Sequence, residues 1–347
     1  MRHKLPTILL TLFIVAGMGV GSSASAGNGP GLREAMRAQE RNSDRLLARS
    51  AIVGTAVGLT RSGTATILVL TTKPGVKVRS SLDGVPVTVK VTGALSAVHH
   101  RPGHSGGPGG GDPGDGGSDP SLSPTDRHPR PVPIGISTGN ELECSAGTIG
   151  ARVSKGGNVY ALSNNHVYAL ENQAPVGSEI LQPGLFDTGC SYSSSNVIGS
   201  LADYVPLRFD GSNNTVDAAI ASTTTGNLGN ATPSDGYGTP SSTTANPSVG
   251  MAVKKYGRTT GLTDGTITGI NAIVNVGYSS GVARFVNQVI VESQRGPLLK
   301  SGDSGSLVVR SSGNAPVGLL FAGTQSGKLG VANDIDDVLS AFGASVG

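Results

Sequence analysis

The 347-residue chain has no tryptophan, only two cysteines, and seven Tyr and six Phe as its sole Phe/Trp/Tyr aromatics. Charged residues make up just 14%. So little charge argues against a coiled coil or long solvent-exposed helices laced by ion pairs. A formal net charge of +3 is too small an excess to imply a nucleic-acid or membrane partner. Two cysteines without a neighbouring histidine cluster do not make a zinc centre. The chain is instead rich in backbone punctuators, with 53 Gly and 20 Pro. That share opposes a mostly helical protein and favours short elements joined by turns.

Long apolar runs are also scarce. The strongest is ILLTLFIVA at residues 8–16, preceded by Arg2 and Lys4 and followed by Ala24-Ser25-Ala26. A basic start, a short apolar stretch and a small-residue cleavage site form the pattern of a secretory signal peptide over 1–26. The apolar run falls well short of the ~20 residues that a spanning helix needs. The pattern predicts export, to the periplasm or beyond the cell, and no membrane attachment after cleavage. In an oxidising compartment Cys144 and Cys190 read as a disulfide. Closing a loop of that size is worth about 4 kcal/mol in the chain-entropy model.

Residues 101–120 hold nine Gly and four Pro, a composition that cannot bury a core. They mark a linker over 97–133 between a small module at 27–96 and a larger domain at 134–347. Residues 27–133 carry 13 Lys/Arg against 8 Asp/Glu, and residues 134–347 carry 11 against 15. A basic module tethered to an acidic one suggests an intramolecular contact. The module opens on a helical stretch at 31–48, where Arg33, Arg37, Arg41, Arg45 and Arg49 recur every four residues as a solvated stripe. Runs of β-formers follow at 51–60, 64–72 and 85–92, with Leu82-Asp83-Gly84 as a turn. The module is thus small and α+β. The larger domain consists of short β-like runs at 148–153, 158–163, 266–276, 285–292, 306–310 and 316–321, the pattern of a barrel or sandwich. A helix is expected near the end, starting at Asn333 or Asp334 and carrying acids in its first turn.

Of six histidines, one lies in the signal peptide and His99, His100, His104 and His128 lie in or beside the linker. No metal or cofactor site is read from them. The larger domain has one histidine, His166, after an apolar run in ALSNNHV. Asp217 sits inside the apolar run NTVDAAIA, where a carboxylate needs hydrogen-bond partners. Ser304 sits in SGDSGS before the strand-like LVV, with glycines that let backbone N–H groups approach a substrate carbonyl. The order His, Asp, Ser is that of chymotrypsin and differs from those of subtilisin and the α/β-hydrolases.

On these residues the chain resembles the chymotrypsin-like (trypsin-fold) serine proteases. GDSGS at 302–306 matches the nucleophile motif apart from Ser306, where a second Gly is usual. NNHV at 164–167 and VDAAIA at 216–221 stand where the histidine and aspartate segments belong. YGRTTGLTDGTIT at 256–268 is similar to the corresponding stretch of bacterial α-lytic-protease and streptogrisin-type enzymes. GVPV at 84–87, LSNNHV at 162–167, ILQPG at 180–184 and GRTTGLT at 257–263 also resemble the Narrow-Leaf-1-type trypsin-like proteins of plants and their bacterial relatives.

The resemblance implies a mostly β domain of two six-stranded antiparallel barrels with a C-terminal helix. It implies a serine endopeptidase in which His166 is the general base, Asp217 orients it and Ser304 attacks. The N–H groups of Gly302 and Ser304 would form the oxyanion hole. It implies that Arg258 pairs with Asp303, that Phe321, Ala322 and Gly323 bind an extended protein or peptide substrate, and that Leu298 lies near the base of the primary pocket. The absence of an acid there argues against a Lys/Arg preference. Two other readings use the same fold: a catalytically silent binding module and an esterase-type acyl hydrolase. The N-terminal module reads as a pro-region or a permanent accessory domain.

Overall fold

The computed structural model describes residues 30–97 and 122–347. The signal-peptide segment and most of the linker lie outside the described residues. Helix α1, Pro30–Leu47, turns Leu32, Ala35, Ala38 and Leu46 inward and leaves all five stripe arginines exposed. Strands β1 (Ile52–Leu59) and β2 (Ala65–Thr71) form a hairpin. Strands β3 (Ser81–Leu82) and β4 (Val85–Val91) form a second one. Its turn residues Asp83 and Gly84 both have positive φ, 47° and 81°, as a two-residue primed turn requires. A short strand β5, Leu95–Ala97, ends the unit.

The first barrel comprises β6 (Ser137–Asn140), β7 (Gly147–Thr148), β8 (Ala151–Lys155), β9 (Asn158–Ser163), β10 (Glu179–Leu181) and β11 (Val197–Tyr204). After the two-residue β12 (Asn213–Asn214) it is completed by β13 (Ala219–Thr223). The pairing order runs β8-β9-β13-β11-β10-β6-β7. Because β7 leads directly into β8, and Gly135 and Ile136 exchange backbone bonds with Ile149 between them, the sheet returns on itself. Ile134, Ile136, Ile149, Ile180 and Leu201 fill its interior.

The second barrel comprises β14 (Ala252–Gly257), β15 (Gly261–Tyr278), β16 (Gly281–Glu292), β17 (Leu307–Arg310), β18 (Pro316–Thr324) and β19 (Leu329–Asp334). They pair in the order β16-β19-β18-β17-β14-β15, and β15–β16 pairing closes the ring. The four-residue helix α2 (Asn165–Tyr168) follows β9 in the first barrel. Helix α3, Ile335–Phe342, is capped by the Asp334 side chain, which accepts from Asp336 N. Strand β20, Ser345–Val346, returns to pair with β8. Leu307, Leu319, Ile335, Val338 and Phe342 pack with Val216 and Leu162 to join the barrels.

Two features differ from the expected layout. The N-terminal unit has no sheet of its own: β1 pairs with β15, as in Gly54↔Val274 and Val57↔Ile270, extending the second barrel's sheet to 12 strands. The cause is the length of β15, 18 residues, whose outer half projects beyond the barrel wall. An edge so exposed invites a strand. Gln39 on α1 donates its side-chain amide to the Asn271 backbone carbonyl on β15 and accepts from the Asn271 side-chain amide there, and Lys90 on β4 pairs with Glu292 on β16. The second difference lies at 122–133, the end of the stretch read as linker. These residues pack on the first barrel: Val132 bridges Leu228, and Arg127 and Arg130 donate to the Ser195 carbonyl.

Candidate active site

Each predicted catalytic side chain stands at the end of an element at the seam between the barrels. His166 is in α2, just beyond β9. Asp217 precedes β13, and Ser304 precedes β17. All three are fully buried. His166 Nδ1 lies 2.5 Å from Asp217 Oδ2, and the His166 backbone N–H donates to Asp217 Oδ1 at 3.2 Å. Asn164 donates to the Asp217 carbonyl, while the Asp217 N–H donates to Asn333 Oδ1. Asn333 donates in turn to Gln288, whose own amide donates to the Thr215 carbonyl. The aspartate is therefore fixed from both barrels. The loop after the histidine is tied down as well: Asn165 and Asn172 bond reciprocally, and Asn172 also holds Leu207 at both backbone groups.

Ser304 occupies a turn between Gly302 and Gly305, whose φ values of 98° and 92° fall where only glycine is unstrained. Its hydroxyl donates to the Phe321 carbonyl at 3.3 Å, and its own carbonyl accepts from Thr148 N at 2.7 Å. The turn lies against the histidine segment. A methyl on Gly305 would strike Ser163, and one on Gly147 would meet Val167 and the Ser304 carbonyl together. Ser306, the departure from the usual motif, donates its hydroxyl to the Asp303 carbonyl and braces the turn.

The expected Arg258–Asp303 pair is absent. Arg258 instead forms a bidentate pair with Asp187, and its guanidinium lies 5.5 Å from the centroid of the Phe186 ring. Asp187 is in the short helical turn Leu185–Thr188, beside the Cys144–Cys190 disulfide, which is formed as expected. Asp303 is held by the rest of the same motif. It accepts from the N–H groups of Thr259 and Thr260 and from the Thr260 hydroxyl. Its cation is Lys255, whose Nζ lies 3.6 Å from Oδ2. Burial pushes the Lys255 ammonium down, against the pull of Asp303. The reason for the exchange is geometric. Asp303 lies directly over Gly257, on the inner face shared by Val253, Lys255 and Gly257, while the Arg258 side chain leaves on the opposite side.

Leu298 is buried in a core cluster with Leu299. A methyl on Gly330 would meet both leucines, and one on Gly323 would meet Leu299. Phe321 and Ala322 are buried, and the strand edge from Ala322 to Thr324 is occupied by the chain itself. β5 pairs with it antiparallel, in the register Ala322↔Ala97, Gly323↔Ser96 and Thr324↔Leu95. Among the described residues no group of three or more His, Cys, Asp or Glu is arranged to hold a metal ion.

Over 107 residues the chain is 36% identical to streptogrisin A of Streptomyces griseus, a match covering 30% of this chain and 33% of that protein. The chain resembles the chymotrypsin-like bacterial serine proteases. It spans about a third of the length of that curated relative. Among solved structures it is similar to a glutamic acid specific serine protease, at 24% identity and a TM-score of 0.45, covering 62% of this chain and 100% of that one. It is also similar to Thermobifida fusca protease A, at 20% identity and a TM-score of 0.43, covering 62% of this chain and 98% of that one. No protein-family model matches the chain.

Sequence reasoning missed Lys255, Asp187, Thr148, Leu299 and Tyr278. Lys255 had a signal, since strand alternation puts it on the face of the apolar Val253. Tyr278 had none: it sits in a turn-like stretch, and its hydroxyl reaches Asp217 from 61 residues away.

Proposed function

We propose that this chain is an exported serine endopeptidase that cleaves peptide bonds through an acyl-enzyme. The carrying observation is the buried His166–Asp217 pair at the barrel seam, packed against the glycine-flanked turn of Ser304. In this reading the Ser304 hydroxyl leaves Phe321 and attacks the scissile carbonyl, while His166 Nε2 takes its proton. Asp217 keeps the proton of the resting imidazole on Nδ1 and stabilises the imidazolium. The Gly302 and Ser304 N–H groups hold the oxyanion. The proton then passes from His166 to the leaving amine, and water reverses the sequence to release the acid. Asp303 shapes the turn and is neutralised by the resident Lys255, so no newly cut amino terminus is needed.

The apolar Leu298 and Leu299 beside Gly323 and Gly330 favour a small or apolar residue before the scissile bond. The N-terminal unit acts as a pro-region. Its strand β5 lies on the edge where an extended substrate would add a strand, and the Gly/Pro-rich stretch behind it is suited to cutting.

The test compares wild type with Ser304→Ala on a mixed peptide library, with amino-terminal sequencing of both secreted products. The expected result is cleavage by wild type alone, and a wild-type start within or after the linker. Equal cleavage by both would remove Ser304 as nucleophile, and a wild-type start at Gly27 would remove the pro-region.

A further inference from the structure

Asp217 Oδ2 has a second contact besides the imidazole. The Tyr278 hydroxyl donates to it at 2.7 Å. Tyr278 is the last residue of β15, at the tip of the hairpin with β16, so the donor comes from the second barrel while the carboxylate belongs to the first. The tip is pinned in place by Glu171, a buried residue just after α2, whose carboxylate accepts from Ser279 N at 3.2 Å and Ser280 N at 2.7 Å. The ring is positioned independently of the hydroxyl. It stacks near Phe285, meets Phe209 edge-on, and stands at 70° to the His166 ring with centroids 5.8 Å apart. Burial and the nearby Asp217 and Glu171 charges push the phenol well above its ordinary value, so it remains a donor across the working range.

Two donors on one carboxylate oxygen have a defined effect. A hydrogen bond to the charged form of a carboxylate favours that form and withdraws charge from it. The tyrosine also fixes rotation about the Asp217 Cβ–Cγ bond, which keeps Oδ2 facing Nδ1. Without the hydroxyl, the carboxylate would turn more freely and place more charge on the imidazole, raising its affinity for a proton.

We propose that Tyr278 is a positioning residue for the reaction. Its hydroxyl orients the Asp217 carboxylate and holds down the proton affinity of His166. The proposal rests on reading His166, Asp217 and Ser304 as the acyl-transfer set.

Tyr278→Phe keeps the ring packing and removes the hydroxyl alone. The measurement is an NMR titration of the His166 ring in a Ser304→Ala background, where turnover does not interfere. The midpoint is expected to rise by about half a unit or more. With Ser304 present, kcat should fall roughly tenfold with KM unchanged, and the acidic limb of the kcat profile should move to higher pH. Adding Tyr278→Phe to Asp217→Asn should change nothing further, because the effect passes through Asp217. An unmoved midpoint together with unchanged kcat would overturn the proposal, as would a full additive loss in the Asp217→Asn background. If the Phe variant does not fold, 3-fluorotyrosine at position 278 supplies a stronger donor on the same ring, and the midpoint must then move down. Peptide cleavage that survives Ser304→Ala would remove Ser304 as the nucleophile and with it the acyl-transfer set, while the His166 titration would still decide the role of Tyr278.

Discussion

Two buried carboxylates, Asp217 and Asp303, stand on opposite sides of the barrel seam and are held in opposite ways. Asp303 is held locally. Its donors are Thr259, Thr260 and Lys300 N, and its cation Lys255 lies on the strand leading into the same GRTTG turn. Asp217 is held from a distance. Only His166 and Asn164 belong to its own barrel; Tyr278 and Asn333 arrive from the other. The first arrangement draws every side-chain and backbone donor to the Asp303 carboxylate from the second barrel. The second makes the orientation of His166 depend on how the two barrels meet.

The largest effect should come from breaking the distant assembly. Asp217→Asn leaves the shape intact but removes the acceptor that fixes the imidazole tautomer. A fall in kcat of about 10⁴ is expected, with the melting temperature little changed. A loss of less than tenfold would show that His166 does not rely on Asp217.

Breaking the local assembly should act on stability instead. Lys255→Met leaves Asp303 buried without its cation, and removing one member of a buried pair costs about 3–5 kcal/mol. Denaturant unfolding would measure it. Activity should be lost with the structure of the Ser304 turn, in contrast to the folded but slow Asp217→Asn. A Lys255→Met protein of normal stability would mean that the backbone amides alone hold Asp303.

This contrast also explains what could be read in the chain. That GRTTG and GDSGS meet was expected from the family resemblance alone, since Thr259 and Asp303 are 44 residues apart and neither motif by itself points to the other. The cation was misassigned because Arg258 and Lys255 are three residues apart, and only the pleat decides which of them faces inward. VDAAIA was legible as an apolar run with one carboxylate, and NNHV as the polar end of the apolar run before it, carrying the larger domain's one histidine. Strands β1, β2, β4, β8, β9 and β15 to β18 were visible as β-like runs, while β10, β11, β14 and β19 were not, and α3 begins at the predicted acidic cap. Tyr278 and Asn333 left no trace, since their roles depend on barrel closure. The strand β5 was also invisible: three residues, LSA, carry no period, and they become a strand because the edges of β15 and β18 await a partner.

The smallest effect lies at the end of the second barrel. Burial, helped by Asp336 and Asp337, raises Asp334 from 3.8 to about 6. A carboxyl raised on folding binds its proton more tightly in the native state, so its burial costs nothing at low pH and costs most once pH passes the folded value. Asp334→Asn keeps a capping side chain and removes the charge. Its melting temperature should exceed wild type by about 1–2 °C at neutral pH, and the gain should vanish below about pH 4. A gain equal at both pH values would attribute the effect to something other than the charge.

The most direct test of the account is covalent labelling of the processed, secreted protein with a fluorophosphonate, followed by peptide mapping. The account predicts a single adduct on Ser304, formed at least a hundredfold more slowly in His166→Ala, the order of a general-base contribution, about 10²–10⁴. An adduct on another residue, or Ser304 labelling at the same rate without His166, would contradict it.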